Sequence, residues 1–414
     1  MNLLHITASL DPELGGVSQA LKTMIKGLNS FENVKNEVVC FDTSDASFIN
    51  QNFVKTNALG AGKGPWFYNA DYYSWLITHL QKFDVVILHG LWNYQGYALV
   101  KALQSLRKNN ASFSTRFFVM PHGMLDPYFQ KAEGRKLKAI RNWFYWKLIE
   151  KNVISQADGL LFTCEAELQL AKQTFSPYLP KKELVVGLGV DEPPTPTSSM
   201  NETFLSKCLG LEQVPYILFI SRIHEKKGVD LLITAYRNCF GNNKPAIGKD
   251  MLNNDASFTN PKSRSNLVVA GPGLETPYGQ KIKLAASKLK QSETTILFPG
   301  MLTGDAKWGA FYGCEAFILP SHQENFGIAV VEALACGKPV LISNQVNIHT
   351  EISDCNAGFV ADDTVAGTEE LLTKWKNLSA NKKIEMSKNA RLCYEKNFAV
   401  NPAAKKLLDA VTSN

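Results

Sequence analysis

The chain has 414 residues, 45% hydrophobic and 20% charged, which excludes a disordered or fibrous protein and fits a globular protein of two domains. Its 44 basic and 38 acidic residues give a net charge of +6, too mild for this length to indicate a nucleic-acid-binding protein. Eight scattered cysteines form no C-x-x-C pair, which argues against a disulfide scaffold and a zinc site.

The first ten residues, MNLLHITASL, predict a strand rather than a signal peptide, because they lack a basic start and a cleavage signal. No apolar run reaches the roughly 18–20 residues that span a bilayer. We therefore expect a cytoplasmic protein.

In the first half of the chain, short apolar segments alternate with helical patterns, which predicts βαβ units and a parallel sheet. Two of the helical patterns cover Val17–Leu28 and Tyr72–Gln81. The predicted strands are Leu3–Thr7, Glu37–Phe41, Asp84–His89, Arg116–Met120 and Gly159–Thr163.

A Pro-, Ser- and Thr-rich stretch near Gly187 predicts a linker, and a second alternation follows it. We therefore predict an α/β protein with two doubly wound, Rossmann-like domains, residues 1–190 and 200–385, that face a central cleft. The helical pattern of residues 386–414 is predicted to pack back on the first domain. The predicted strands of the second half are Tyr216–Ser221, Leu267–Ala270, Thr294–Phe298, Ala316–Leu319 and Pro339–Ser343.

The carboxyl ends of the first-half strands carry glycines and histidines, at the edge where open parallel sheets bind ligands. Gly15 and Gly16 open the first helix, whose N-terminus is a plausible anion site, although a Gly-Gly pair is equally a simple turn. His89 and His122 each end a strand and precede a glycine. A lone histidine is usually structural, but this recurrence favours a functional role for His122 over one for His89.

In the second half, cations follow the first strand of the domain. Arg222 and Lys227 flank a strand-to-helix loop and could converge on one diphosphate, although a solvated charged loop would look the same. Gly271 and Gly273 follow the next strand and would leave room for a ligand. After a further strand, the backbone around Met301 could face a flat base.

Two carboxylates, Glu324 and Glu332, stand eight positions apart around a predicted helix start. Glu324 lies in the loop before the helix, so both side chains could reach the cleft and accept hydrogen bonds from sugar hydroxyls. The helix N-terminus between them favours a phosphate. The alternative is a pair of exposed acids with no ligand. The helix start itself is predicted to contact the substrate through Asn325, Phe326, Gly327 and Ile328.

Taken together, these segments resemble the family 4 retaining glycosyltransferases of the GT-B fold. The resemblance covers nearly the whole chain, and it implies a bacterial, including cyanobacterial, envelope or exopolysaccharide enzyme. The linker reads GLGVD where the family often has Asn-Gly, and the C-terminal NFAVN lacks the usual Phe-x-Trp. The matching motifs are GGVSQAL, PHGMLDPY, SRIHEKKGVDLLITAY, VVAGPG, FPGML and FILPSHQENFGIAVVEALACGKPV.

The resemblance implies a role for each matching residue. Arg222 and Lys227 would hold the diphosphate, and Glu324 would contact the transferred sugar. Glu332 would contact the ribose, and Gly16 would approach the donor phosphate or sugar. His122 would line the sugar pocket, and residues around Met301 would meet the base. The implied reaction moves a hexose from a nucleoside-diphosphate sugar, with UDP-glucose as the best guess, to a glycan or lipid-linked glycan.

No strand end offers an Asp-x-Asp cluster, so we predict no metal and no cofactor beyond the donor substrate. A dinucleotide oxidoreductase would need G-x-G-x-x-G after a strand, and GAGKGP at residues 60–65 fails because Pro65 takes the last position. A P-loop is absent as well. A non-catalytic sugar-nucleotide-binding protein, or an epimerase of the same fold, stays open as the alternative.

Residues 128–151 interleave basic and aromatic side chains, a pattern that suits the surface of an anionic membrane. We predict peripheral contact with the inner face of the plasma membrane through this helix. The competing interpretation is a helix that packs on its own sheet through Trp143, Trp146 and Ile149.

Overall fold

The computed structural model describes residues 1–14, 16–50, 52–131, 135–211, 215–240, 265–288 and 295–413. The chain divides into two compact units. The N-terminal unit comprises Met1–Asp191 and Asn397–Asn414, and the C-terminal unit comprises Glu192–Lys396. Each unit is a parallel sheet with helices around it, so the predicted α/β class is confirmed.

The sheet of the N-terminal unit has the strand order β3-β2-β1-β4-β5-β6-β7, with parallel pairing throughout. The edge strands β3 and β7 were missed from the sequence because their segments, KTNA and ELV, are short and most of their side chains are only partly covered. The strands are β1 (Asn2–Ile6), β2 (Lys35–Cys40), β3 (Lys55–Ala58), β4 (Val85–His89), β5 (Arg116–Met120), β6 (Gly159–Phe162) and β7 (Glu183–Val185).

Helices surround this sheet and bury an apolar core against it that includes Leu76, Leu99 and Trp146. Residues 128–151 do not form one helix as predicted. A π turn at Trp146–Glu150 separates two α-helices and buries Trp146, whereas Trp143 is half exposed. The helices are α1 (Gly16–Leu28), α2 (Ala70–His79), α3 (Tyr94–Asn109), α4 (Tyr128–Lys131), α5 (Lys136–Tyr145), α6 (Lys151–Gln156) and α7 (Glu165–Ala171).

The sheet of the C-terminal unit has the order β10-β9-β8-β11-β12-β13 and is also parallel. β10 is shifted from its predicted position, because Gly300 pairs with Ala270 and therefore lies in the strand instead of the following loop. The half-exposed edge strand β13 was missed. The strands are β8 (Tyr216–Ile220), β9 (Asn266–Ala270), β10 (Ile296–Gly300), β11 (Ala316–Leu319), β12 (Val340–Ser343) and β13 (Gly358–Ala361).

The helices of the C-terminal unit pack around its sheet, and large side chains such as Phe311 and Trp375 are buried. They are α8 (Ser198–Leu205), α9 (Val229–Phe240), α10 (Pro277–Ser287), α11 (Gly304–Gly313), α12 (Ile328–Ala335), α13 (His349–Asp354), α14 (Val365–Asn377) and α15 (Ala380–Asn397).

The C-terminal helical pattern forms two helices in the structure, α15 and α16 (Val400–Thr412). Helix α16 packs against α1 within the N-terminal unit. Gly27 permits this close approach, because a Cβ at that position would lie 2.7 Å from the Val400 side chain. Between the two helices, the Phe398 carbonyl accepts a hydrogen bond of 2.8 Å from the Val190 N–H group.

Candidate functional site

Two glycines bring the loops after β8 and β9 of the C-terminal unit into close contact. Gly271 has a φ of 142°, and a Cβ there would lie 1.9 Å from the Ser221 carbonyl oxygen. Gly273 has a φ of 114°, and its Cβ would lie 2.6 Å from the Ile223 carbonyl oxygen. Backbone occupies these positions, so loop packing accounts for both glycines without a ligand.

The loops after β8 and β11 meet in the same way, and this contact joins two predicted site residues. Gly228, with a φ of 63°, lies against the Pro320 carbonyl oxygen, which a Cβ would approach to 2.0 Å. The buried Lys227 then reaches across and donates a hydrogen bond from Nζ to Oε2 of Glu324. The structure therefore brings together a cation and a carboxylate that are 97 positions apart in the sequence.

The backbone of Glu324 is fixed by the segment that follows β12. Its N–H group donates to the Gln345 carbonyl at 2.9 Å, and its carbonyl accepts from the Asn347 N–H at 3.0 Å. The Asn347 side chain also donates to Oδ1 of Asn325 at 3.3 Å. Because both sides of the turn are held, the carboxylate has a defined position before any ligand binds.

Helix α12 begins at Ile328, three residues later than predicted. Gly327 takes a left-handed conformation with a φ of 78°, so Asn325, Phe326 and Gly327 form a turn that leads into the helix. The first N–H groups of a helix lack intrahelical partners and carry partial positive charge. This end of α12 is therefore suited to an anion beside the Glu324 carboxylate.

Glu332, on the same helix, is largely buried and is paired. Lys307 of α11 donates a hydrogen bond of 2.5 Å from Nζ to Oε1 of Glu332. Burial raises the pKa of Glu332, and the Lys307 ammonium opposes that rise. Lys307 was not predicted, because no local pattern indicates that its side chain meets Glu332, 25 positions further along the chain.

Arg222 and Met301 are exposed, and 63% of Met301 is accessible. Within the described residues, the Arg222 guanidinium has no hydrogen-bond or ion-pair partner. In the N-terminal unit, Gly15 lies outside the described residues. Gly16 begins α1, and no described atom comes within 4 Å of the position that its Cβ would take.

The turn after β5 holds His122 in a left-handed conformation with a φ of 52°. The next residue, Gly123, donates its N–H to Oε1 of the buried Glu167 at 2.5 Å. Thr163, at the end of β6, donates its N–H and its hydroxyl to the other oxygen of Glu167, at 2.8 and 2.6 Å. Glu167 therefore anchors this turn, and it was not predicted.

His122 is joined to two further histidines. Its Nε2 lies 2.9 Å from Nδ1 of His89, and Nε2 of His89 lies 3.1 Å from Nδ1 of His5. Burial lowers the pKa of His122 and of His5 to about 4. The pKa of His89 is also well below its ordinary value, chiefly through burial and then through its two imidazole neighbours. His5 was missed because a histidine inside a strand gives no periodic signal.

Over the described ranges, no three His, Cys, Asp or Glu side chains are grouped in a way that could hold a metal ion. The described helices also include none with the length and apolar character needed to cross a bilayer.

Comparison with family models gives two matches. Residues 203–392 match the model described as glycosyl transferases group 1, and residues 15–189 match the model described as glycosyl transferase 4-like domain. Each match covers most of one unit, and together they account for the greater part of the chain.

Curated relatives match at low identity. A D-inositol 3-phosphate glycosyltransferase of Salinispora tropica is 27% identical over 270 residues, 63% of this chain and 52% of the relative. One of Geodermatophilus obscurus is 28% identical over 242 residues, 56% of this chain and 49% of the relative. The chain thus spans about half the length of these relatives.

Solved structures match over the full length. Anabaena Alr3699/HepE, in complex with UDP and glucose, gives a TM-score of 0.70 at 16% identity and covers 100% of both chains. A glycosyltransferase from Rickettsia africae gives 0.71 at 15% identity, with 100% of this chain and 99% of that chain covered. At such identity the likeness shows the fold, and it confirms the predicted GT-B class.

Proposed function

Because the chain belongs to the family 4 glycosyltransferases of the GT-B fold, we propose that it transfers a hexose from a nucleoside-diphosphate sugar, UDP-glucose first among the candidates, to a glycan or lipid-linked glycan in polysaccharide biosynthesis. One observation carries this proposal. The buried Lys227 ammonium contacts Glu324 beside the N-terminus of α12, at the carboxyl edge of the C-terminal sheet. A cation, a carboxylate and a helix N-terminus suit the phosphate and the hydroxyls of a nucleotide sugar.

In the proposed reaction, the bond between the sugar C1 and the diphosphate oxygen breaks as negative charge grows on the leaving group. Arg222 and Lys227 would stabilise that charge. In many enzymes, cations and hydrogen-bond donors aimed at developing charge make the largest single contribution to the rate enhancement. The acceptor oxygen forms the new bond to C1, and its proton passes to a leaving phosphate oxygen. Attack and departure then share one face of the sugar, which retains the anomeric configuration.

The two cations also affect whether the proposed reaction needs a metal ion. In the proposal, Arg222 and Lys227 would supply positive charge beside the diphosphate in place of Mg²⁺ or Mn²⁺. We expect activity to persist in EDTA and an α-linked donor to give an α-linked product in NMR of the fresh mixture. Complete loss in EDTA with recovery on Mn²⁺, or a β product, contradicts this part of the proposal.

The donor is tested first by thermal stabilisation with a panel of UDP- and GDP-sugars, and then by transfer to candidate acceptors. Because Anabaena Alr3699/HepE was solved with UDP-glucose, that donor is the first candidate. Arg222→Ala and Lys227→Ala should each lower turnover by a factor of about 10² or more. The matched control is Lys281→Ala, which removes an exposed cation from α10. Near-wild-type turnover in both variants contradicts the proposal. Binding without transfer to any acceptor favours the non-catalytic or epimerase alternative.

The proposal of a lipid-linked acceptor rests on an exposed surface formed by α5 and the π turn. We call it the 137–148 surface. Leu137, Ile140 and Phe144 are spaced three and four residues apart, so they share one helical face, and all are more than half exposed. Trp143 and Leu148 extend the apolar area. The same stretch of the chain carries five exposed cations, namely Lys131, Lys136, Lys138, Arg141 and Lys147.

An anionic membrane fits this composition better than a protein partner, because apolar side chains ringed by lysines match acyl chains below anionic head groups. Each basic residue near such a surface contributes roughly 1 kcal/mol, so several give salt-sensitive binding. We expect co-sedimentation with anionic liposomes at low salt. It should be lost when Leu137, Ile140 and Phe144 become Ser, and weakened when Lys131, Arg135, Lys136 and Lys138 become Ser.

The matched control changes Leu284 and Leu392, which are 62% and 60% exposed, to Ser. These lie on other helices, so binding should not change. A wild type that stays in the supernatant at low salt rejects the membrane contact and leaves the glycosyltransferase proposal intact.

A further inference from the structure

The histidines of the N-terminal unit belong to a longer hydrogen-bonded chain, the imidazole relay, which runs from Asn29 through Asn36, His5 and His89 to His122. Nε2 of His5 lies 3.1 Å from Oδ1 of Asn36, and the Asn36 amide nitrogen donates to Oδ1 of Asn29 at 2.8 Å. The interior members Asn36, His5 and His89 are buried. The relay therefore connects the interior of the sheet with the turn after β5.

The direction of every hydrogen bond in the relay follows from its Asn29 end, which is exposed just after α1. The Asn29 amide nitrogen points to the Phe53 carbonyl oxygen at 3.5 Å, and a carbonyl oxygen can only accept. Oδ1 of Asn29 must then accept from Asn36, which turns Oδ1 of Asn36 toward His5. An amide oxygen also only accepts, so Nε2 of His5 carries the hydrogen.

A neutral imidazole has one donor and one acceptor nitrogen, so the same polarity passes along the relay. Nδ1 of His5 accepts from Nε2 of His89, and Nδ1 of His89 accepts from Nε2 of His122. The remaining nitrogen, Nδ1 of His122, then carries a lone pair and no hydrogen. It has no hydrogen-bond partner among the described residues, and its residue is partly exposed.

We propose that Asn36, His5 and His89 are positioning residues that hold His122 in the Nε2–H tautomer, so that its open Nδ1 accepts a hydrogen bond from a sugar hydroxyl of the substrate. This inference rests on the proposed glycosyl transfer. The burial that lowers the pKa of each ring keeps the relay uncharged at neutral pH. A neutral imidazole nitrogen can accept a hydrogen bond from a hydroxyl group. Unlike an imidazolium, it does not attract the anionic diphosphate.

The tautomers can be measured without substrate by long-range ¹H–¹⁵N NMR of the histidine rings at pH 7.5. We expect the Nε2–H form at His5, His89 and His122. In Asn36→Leu, His5 loses the oxygen that accepts a hydrogen bond from its Nε2–H group, and His122 should become a mixture of tautomers. Asn36→Asp should restore the wild-type pattern, because a carboxylate also accepts from His5. An Nδ1–H form of His122 in the wild type overturns the proposal.

A kinetic experiment compares natural substrates with deoxyfluoro analogues, because fluorine in place of a hydroxyl cannot donate a hydrogen bond. At one sugar position the wild type should lose at least about tenfold in kcat/KM with the fluoro analogue. Asn36→Leu and His122→Ala should lose that discrimination, and Asn36→Asp should keep it.

A matched control is Thr115→Val, which removes a buried hydroxyl that donates to the Leu80 and Phe83 carbonyls, away from the relay. It should lower stability and leave the discrimination unchanged. Equal discrimination in the wild type and Asn36→Leu contradicts the relay even where transfer is intact. If no donor is used at all, the proposed function fails, and the NMR result still decides the tautomers.

Discussion

The buried titratable groups at the carboxyl edges of the two sheets differ in charge state. In the N-terminal unit, His5, His89 and His122 are joined ring to ring, and their lowered pKa values keep them neutral. In the C-terminal unit, the corresponding edge keeps its charges by pairing them, Lys227 with Glu324 and Lys307 with Glu332. Since both sheets are parallel α/β sheets, the difference comes from side chains and not from topology.

This comparison separates two kinds of ligand chemistry. A neutral imidazole acceptor suits a hydroxyl, whereas a lysine beside a helix N-terminus suits a phosphate. Glu167, in the N-terminal unit, is a carboxylate that accepts hydrogen bonds from the Gly123 N–H and from the N–H and hydroxyl of Thr163.

The largest effect is expected where the C-terminal loops touch through glycine. Gly271→Ala places a Cβ 1.9 Å from the Ser221 carbonyl oxygen at a positive φ, and should cost about 3–5 kcal/mol of unfolding free energy. Gly16→Ala in the N-terminal unit meets no described atom within 4 Å and should change that free energy by less than about 0.5 kcal/mol. Urea denaturation measures both, and equal losses would contradict the packing role of Gly271.

The next effect concerns Glu150, which is buried in the N-terminal unit and accepts the Trp92 N–H at 2.7 Å. Burial raises its pKa from 4.5 to about 7. The folded state therefore favours the protonated form, and stability should fall by about 3 kcal/mol between pH 4.5 and pH 8. Glu150→Gln keeps an oxygen for Trp92 and should flatten this slope in urea denaturation. An unchanged slope would show that Glu150 does not titrate in this range.

Glu332 provides the paired counterpart in the C-terminal unit. Lys307→Met leaves its carboxylate buried without a cation, which should cost about 2 kcal/mol at pH 8. The pKa of Glu332 is already raised by burial, and losing Lys307 raises it further, so the cost should shrink toward pH 5 as the carboxyl protonates. Adding Glu332→Gln should remove the pH dependence of the loss. A cost that is equal at pH 5 and pH 8 argues that the pair contributes packing only.

The smallest effect is expected at Glu324. Glu324→Gln removes the partner charge of Lys227 while keeping an oxygen in place, so binding of the nucleoside diphosphate should hold or tighten. Transfer should still fall by about tenfold, because the proposed contact between the carboxylate and the sugar would be lost. Calorimetry and initial rates separate the two quantities. Glu225→Gln, an exposed acid in the loop after β8, is the control and should alter neither.

Much of the fold could be predicted because buried central strands carry continuous apolar runs. β5 was predicted with its full bounds, whereas the edge strands β3, β7 and β13 were missed because their side chains are only partly covered. The start of α12 was misjudged for a different reason. Gly327 permits either a helix or a left-handed turn, and the neighbouring loop decides between them.

Local composition and periodicity were enough to predict the α/β class, the central strands and the residue types that follow them. Which side chains meet depends on the tertiary structure. Lys227 reaches Glu324 because Gly228 lies against the Pro320 carbonyl, a contact between loops of two different strands. His122 joins a hydrogen-bonded chain because His89 of β4 lies beside it, with His5 of β1 and Asn36 of β2 beyond. Such pairings depend on distances through space, and no local pattern in the chain encodes them.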